Sequence, residues 1–367
     1  HSASSASPYL KRSDGQAGDW QPLAVPAANY RSPDGRLAST HHFVLDPSLA
    51  PGPYQLVIDD RQSTLPPLLV MTRFRNFHPP EQVPNPTSAE FNTEVQLLGY
   101  QVDLSPRRPD DVVEVNTWWR SLRTMSRHYV VSLYLLDYAA NVAGQSDWTL
   151  GGHYPNVLWA PGEHVDEVFS LPIYHQAPPG LYRLQLGLYD YQEGGFRFLP
   201  ITQPDRLEVT QHLELGRLRI ADGAESQPPN RPLTVELAGE IRLLGFDLDQ
   251  ARLKPGETLH LVLHWQAIQP PSQDYTVFTQ LLGPDGRVWG QQDNQPQSNR
   301  YPTTAWPPLE QVIDRYQVPL RPEAPHGEYR LLSGMYQLAS GQRLAAFDTS
   351  GNRLTDDAIQ LTTITVE

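Results

Sequence analysis

The chain carries one plan twice. EVQLLGYQVD at residues 94–103 returns as EIRLLGFDLD at 240–249, an offset of 240 − 94 = 146. At that offset Pro109 falls on Pro255, Trp119 on Trp265, Tyr129 on Tyr275, Leu135-Leu136 on Leu281-Leu282, and Asp147 on Asp293. One inserted residue later YPNVLWAPGE (154–163) meets YPTTAWPPLE (301–310). The new offset, 301 − 154 = 147, carries Pro172 onto Pro319, Gly180 onto Gly327, Tyr182 onto Tyr329 and Tyr189 onto Tyr336. A repeat of this length is the size of an ordinary domain, so each copy is expected to bury a core of its own.

A third, partial copy precedes them. APGPYQLVI (50–58) resembles APPGLYRLQLGL (177–188) and APHGEYRLLSGM (324–335), and Arg73-Phe74-Arg75 resembles Arg217-Leu218-Arg219. Each Arg-x-Arg is followed by a polar, Pro-rich stretch, HPPEQVPNPT or DGAESQPPNRP, which reads as a connector. The expected organisation is a partial or divergent sandwich over 1–77, a linker over 78–93, a repeat over 94–220, a linker over 221–235 and a repeat over 236–367.

Periodicity assigns the elements. Val113, Val115, Thr117 and Trp119 alternate with Glu114, Asn116 and Trp118, and Leu259, Leu261, Leu263 and Trp265 keep the same phase in the second copy. A period of two means strands with one face inward. Turn signals separate the runs, among them Lys254-Pro-Gly-Glu257 and Gly283-Pro-Asp-Gly-Arg287. With 36 Pro and 25 Gly in 367 residues, little room is left for long helices. The fold expected is therefore all-β, as tandem immunoglobulin-like antiparallel β-sandwiches. A recurring Pro-Gly-Tyr element, at Tyr54, Tyr182 and Tyr329, reads as a tyrosine corner in which the ring is buried and the hydroxyl bonds backbone.

Charge and composition narrow the partners. With 28 basic against 41 acidic residues the net charge is −13, which argues against a binder of nucleic-acid phosphates. The absence of Cys excludes disulfides, thiol catalysis and zinc–thiolate sites. Neither a nucleophile elbow nor a His-Glu-x-x-His, Walker or Gly-x-Gly-x-x-Gly pattern occurs, so no catalytic residues, metal or cofactor are expected.

The most specific motif is Tyr-Pro-x-x-x-Trp-x-Pro-x-Glu, present twice. One reading puts Tyr154 and Trp159, with Tyr301 and Trp306, on loop surfaces where flat rings stack on sugars, while Glu163 and Glu310 accept hydroxyl hydrogen bonds. The other makes the same rings plugs at the end of each sandwich. Exposure of Trp159 and Trp306 decides between them. Aromatics present in one copy only form a second set: Trp148 corresponds to Asn294, Trp289 to Ala143 and Trp118 to His264. A residue that one sandwich does without is free to serve a ligand or an interface. The acidic pairs Asp103/Asp249, Asp147/Asp293, Glu163/Glu310 and Glu167/Asp314 recur, but no dense calcium-loop run contains them, so they read as turn-capping or solvated carboxylates.

The series LLGFDLD, LKPGETLHLVLHWQA, DYTVFTQLLGPDGRV, YPTTAWPPLE and VPLRPEAPHGEYRLLSGMYQLASGQRL resembles the repeated extracytoplasmic β-sandwich region of glycosyltransferase-like membrane proteins of Chloroflexota-type bacteria. The resemblance covers 240–367 strongly, 94–220 clearly and 1–75 in part. It implies a place in the cell envelope or outside the cell and brings no catalytic residues with it, while this chain departs from the pattern in having no spanning segment. The function expected is a non-catalytic accessory module that binds a glycan, a lipid-linked saccharide or a protein partner. The alternative is a structural subunit of an extracellular filament, sheath or surface layer, self-associating through a sheet edge left open by the incomplete first repeat.

Overall fold

The computed structural model describes residues 75–367, except 193, 205 and 224–226, and before residue 75 the strands Tyr9–Arg12, Leu23–Ala24, Ala28–Arg31, Leu37–Thr40, Phe43–Val44, Gly52–Ile58, Arg61–Gln62 and Leu68–Val70. The protein is nearly all β, with several antiparallel sheets packed as sandwiches, and its helical content among the described residues is limited to single turns. Two compact units divide it: His1–Pro79 with Gly162–His164, and Pro80–Pro161 with Val165–Glu367.

In the first unit Gly52–Ile58 pairs antiparallel with Tyr9–Arg12, Arg61–Gln62 and Leu68–Val70, and Tyr54 is enclosed. The register corrects one alignment made on sequence. Tyr54 lies opposite Leu68, as Tyr182 lies opposite Leu218 and Tyr329 opposite Ile364, so the strand matching Arg217-Leu218-Arg219 ends at Val70. Arg75 lies beyond that strand, and Arg73 and Phe74 fall outside the described residues. So does most of the sequence on which the open-edge expectation rests.

Apart from Gly162–His164, both full repeats lie in the second unit, and each is a two-sheet sandwich. In the first, one sheet runs in the order His164–Pro172, Val112–Ser121, Val95–Val102, Pro86–Phe91, Ile201–Gln203, Arg206–Thr210. The facing sheet runs Val142–Thr149, Val130–Leu136, Gly180–Gln192, and the last of these pairs with Leu213–Ile220 along its first half and with Gly195–Phe198 along its second. In the second sandwich the orders are Gln311–Pro319, Thr258–Ala267, Ile241–Leu248, Arg231–Leu237, Ala346–Phe347, facing Arg252–Leu253, Ile359–Val366, Gly327–Gln337, Tyr275–Leu282, Val288–Asn294. Arg252–Leu253 departs from the antiparallel rule, pairing parallel with Ile359–Val366, and a parallel bridge from Arg107 to Ile220 matches it in the first copy.

Alternation places the cores as expected. Val113, Val115, Thr117, Trp119 and Ser121 are all buried along one strand, and Leu259, Leu261, Leu263 and Trp265 along its counterpart. The repeat extends to irregularities: register shifts at Leu97/Gly99, Leu135/Leu136 and Leu184/Gln185 recur at Leu243/Gly245, Leu281/Leu282 and Leu331/Leu332. A bulge kept in both copies is a designed bend in the strand. The tyrosine corners form as well, Tyr182 Oη donating to the Pro178 carbonyl at 2.6 Å and Tyr329 Oη to that of Pro325 at 2.8 Å.

The Pro-rich stretches are less purely connecting than their composition suggests. Pro86–Phe91 pairs with Val95–Val102, and Arg231–Leu237 with Ile241–Leu248, so each stretch ends as a strand of the sandwich that follows. Pro86 stands at the first position of its strand, where a missing N–H does least harm to the ladder.

Candidate functional site

The Tyr-Pro-x-x-x-Trp-x-Pro-x-Glu loops fold alike. Pro155 and Pro302, at φ −57° and −59°, lead into single 3-10 turns over Asn156–Leu158 and Thr303–Ala305. Each turn swings its Trp back beneath the Tyr. Trp159 Nε1 donates to the Tyr154 carbonyl at 2.8 Å, and Trp306 Nε1 to that of Tyr301 at 3.3 Å. The first residue of each turn reaches the opposite strand: Asn156 Oδ1 accepts the Tyr129 N–H at 3.0 Å, and Thr303 Oγ1 accepts that of Tyr275 at 2.9 Å. These are two chemistries for one task.

Trp159 and Trp306 are each 1% exposed, and Tyr154 and Tyr301 are buried with them. Stacking on a sugar needs a ring face open to water, so the stacking reading of Tyr154, Trp159, Tyr301 and Trp306 is withdrawn. They plug the sandwiches.

The motif glutamates likewise serve the fold. Within the first unit Glu163 is buried and pairs with Arg75 at 3.1 Å. In the second sandwich Glu310 accepts the Tyr301 hydroxyl at 2.5 Å and pairs with Arg219 of the first sandwich, whose guanidinium lies 4.7 Å from the centre of the Tyr301 ring. Neither carboxylate is left available as an acceptor for sugar hydroxyls in the manner expected. Around the Arg219 clasp, the Leu181 N–H donates to the Arg300 carbonyl at 2.8 Å, and Arg300 Nε donates to the Pro179 carbonyl at 3.2 Å. The Leu181 side chain enters the second sandwich's core. Gly180 permits this approach, since a Cβ there would sit 2.6 Å from the Cβ of Arg300.

The loop that presents Arg300 contains the inserted residue. Gln297, Ser298 and Asn299 take positive φ of 53°, 57° and 67°, where the first copy has Gly151 and Gly152. Left-handed backbone costs a non-glycine residue roughly 1–2 kcal/mol. An acidic residue caps this loop in both copies, Glu167 Oε2 accepting the Gly151 N–H at 2.9 Å and Asp314 Oδ1 the Gln297 N–H at 2.8 Å. Burial pushes both carboxyls up to about 7. Displaced values of this kind commonly mark active sites, yet here the groups are cap residues inside the scaffold.

The copy-specific tryptophans are not brought together. Trp148, 44% exposed on an edge strand, donates Nε1 to the Ser170 carbonyl of the facing sheet at 3.1 Å. Trp289 packs against the second core with Nε1 on Asp285 Oδ1 at 3.0 Å, beside a cleft of about 390 Å³ that includes Pro319 and Pro322. In place of Trp118, His264 makes a 2.8 Å contact with Asp247.

The strongest concentration of unburied aromatic surface lies elsewhere, on the outer face of the first sandwich. Tyr189 lies opposite Phe198 and Tyr191 opposite Phe196 on the hairpin formed by Gly180–Gln192 and Gly195–Phe198. Their rings interlock with those of Tyr134 and His212, the Phe198–His212 centroids being 4.5 Å apart and Phe196–Phe198 5.8 Å at 88°. Gly187 is the floor: a Cβ would meet Phe198 at 2.9 Å and His212 at 3.0 Å. Tyr191 is 71% and Phe196 61% exposed. On the opposite side of the same strand Gln192 donates its amide to buried Asp190 at 3.0 Å, and Arg127 pairs with Asp190 at 2.6 Å. Burial lowers the His212 pKa from 6.5, so at neutral pH it is an uncharged aromatic. An open depression of about 640 Å³, walled by Arg197, Phe198, Gln211 and His212, adjoins the cluster.

None of these residues was singled out from the sequence, although the signal was present. YDYQEGGFRF in the first copy faces YQLASGQRLA in the second, the same one-copy-only pattern that drew attention to Trp148.

Among the described residues no three His, Asp or Glu side chains converge as metal ligands, and no helix is long and apolar enough to cross a membrane. Comparison with protein-family models and with curated proteins finds no match for this chain.

Proposed function

We propose that the chain is a non-catalytic, immunoglobulin-like module of the cell envelope that holds a saccharide on the outer aromatic face of its first sandwich. The observation that carries this reading is the pair Tyr191 and Phe196: facing residues on one hairpin, both open to solvent, backed by a packed aromatic layer, and without counterpart in the second copy. Ordinary scaffold residues recur at the repeat offset. These do not. Rings that meet edge to face, beside a depression lined by Phe198 and His212, offer apolar surface to the C–H face of a pyranose ring. The envelope location rests on the sequence resemblance. The non-catalytic reading is supported by the capping roles of Glu167 and Asp314.

The test is calorimetric titration of the whole chain with neutral and lipid-linked oligosaccharides, beside Tyr191→Ala/Phe196→Ala. Saturable binding weakened about tenfold or more per ring removed is expected. Binding that survives the double variant unchanged, or no binding by the wild type, overturns the assignment.

A second reading has its own support. The Arg219–Glu310–Tyr301 clasp and the Leu181–Arg300 bond fasten the two full sandwiches together, as a subunit that transmits tension along a filament or sheath requires. Concentration-dependent assembly in light scattering would favour it, and a monodisperse monomer over a wide range would remove it.

A further inference from the structure

A cleft of about 640 Å³ opens where the two full sandwiches of the second unit meet, well within the size range of small-ligand sites. The first sandwich contributes Tyr138 and Arg217, and the second contributes Asp274, Asp293, Asn294 and Tyr336. We propose that this cleft binds a short, uncharged oligosaccharide, at a site separate from the aromatic face.

The chemistry of the walls sets the ligand class. Tyr138 keeps 45% of its surface exposed while Arg217 Nη1 holds its hydroxyl at 3.2 Å, which fixes the ring and leaves a face for apolar C–H groups. One guanidinium and two carboxylates are interleaved, so neither a phosphate nor a bare cation meets a field of a single sign. Hydroxyl groups, which donate and accept, suit such a surface. Asp293 supplies the most specific indication. Its Oδ2 accepts the Tyr336 hydroxyl at 3.3 Å, and the Gln291 side chain and the Thr279 backbone N–H also hydrogen-bond the carboxylate. Asp293 and Tyr336 thus put a carboxylate acceptor and a phenol side by side in the cleft wall, a pairing suited to ligand hydroxyls. Burial raises the Asp293 pKa in spite of these donors. Asp274 is already oriented, its Oδ1 accepting from Thr304 N at 3.1 Å and Thr304 Oγ1 at 2.6 Å. The second oxygen of that carboxylate remains for a ligand.

The proposal does not depend on the aromatic face, and one experiment separates the two. The full chain is titrated by calorimetry with maltotriose, cellotriose, mannotriose and triacetylchitotriose up to about 10 mM, where even millimolar affinity registers. Alongside it run Tyr138→Ala, Asp293→Ala and Tyr191→Ala/Phe196→Ala. At least one probe should bind the wild type saturably, with affinity lowered about tenfold or more by Tyr138→Ala and by Asp293→Ala, and retained by the hairpin variant. Tyr138 is a surface residue, so its variant stays informative should Asp293→Ala fold poorly. Absence of saturable binding to all four probes, wild-type affinity in Tyr138→Ala, or loss confined to the hairpin variant overturns the proposal. Cleavage of a probe would instead overturn the non-catalytic reading of the module.

Discussion

Asp314 is completely enclosed, and its two oxygens accept from Gln297 N at 2.8 Å and from Tyr316 Oη at 2.6 Å. These donors favour the anion, but burial outweighs them and lifts the carboxyl from 3.8 to about 7. The sign of the pH effect follows. In the unfolded chain the group ionises near 4, while in the fold it keeps its proton until about 7, so the folded state binds more protons in between. Stability therefore falls as pH rises through that window, by at most about 1.4 kcal/mol per pH unit from this group, and levels off above it. Glu167 acts in the same direction more weakly, being partly solvated. Urea midpoints should drop between pH 5 and 7.5, and Asp314→Asn should flatten the profile. The plug residues allow a direct contrast. Trp306→Ala should remove about 3–5 kcal/mol by opening a cavity, whereas Trp148→Ala, on an exposed edge, should remove under about 1 kcal/mol by the same urea assay. Strand phase made Trp119 and Trp265 legible as core from sequence. Loop residues have no period, so Trp159 and Trp306 stayed undecided until their burial was seen.

Among elements, the hairpin bearing Tyr191 and Phe196 was missed for a geometric reason. Tyr189 pairs with Phe198 nine positions on, but Tyr336 bridges to Arg343 only seven positions on, so the second hairpin is two residues shorter and the constant offset misaligns its return arm. The strands inside the Pro-rich stretches escaped notice because composition was read without position: Pro is disruptive mid-ladder yet tolerated at a strand's start. Gly187 offers a test of the hairpin's support. Gly187→Ala inserts a methyl 2.9 Å from Phe198 and should disturb the ring layer while leaving the core intact. Near-UV circular dichroism from the Tyr and Phe rings should change, with the unfolding free energy lowered by only about 1–2 kcal/mol.

At the scale of the whole molecule, the repeat predicted two serial sandwiches but not how tightly they are joined. Sequence comparison registers what the copies share, and the joint uses what they do not: an inserted residue, a left-handed turn without glycine, and a motif glutamate turned toward Arg219. Because Arg219 and Glu310 are largely buried, removing one partner leaves a stranded charge. Arg219→Ala should separate the melting of the two sandwiches, turning one calorimetric transition into two, and should broaden the distance distribution in solution scattering. Each sandwich completes its sheet with its last strand. Ile359–Val366 lies between Arg252–Leu253 and Gly327–Gln337, and Leu213–Ile220 holds the corresponding place in the first copy. On a ribosome, the first sandwich can therefore finish its sheet once residue 220 clears the exit tunnel. In the second, likewise, the flank of its longest strand stays unzipped until residue 366 emerges, so each sandwich passes through an interval in which that flank is open to chaperones and proteases.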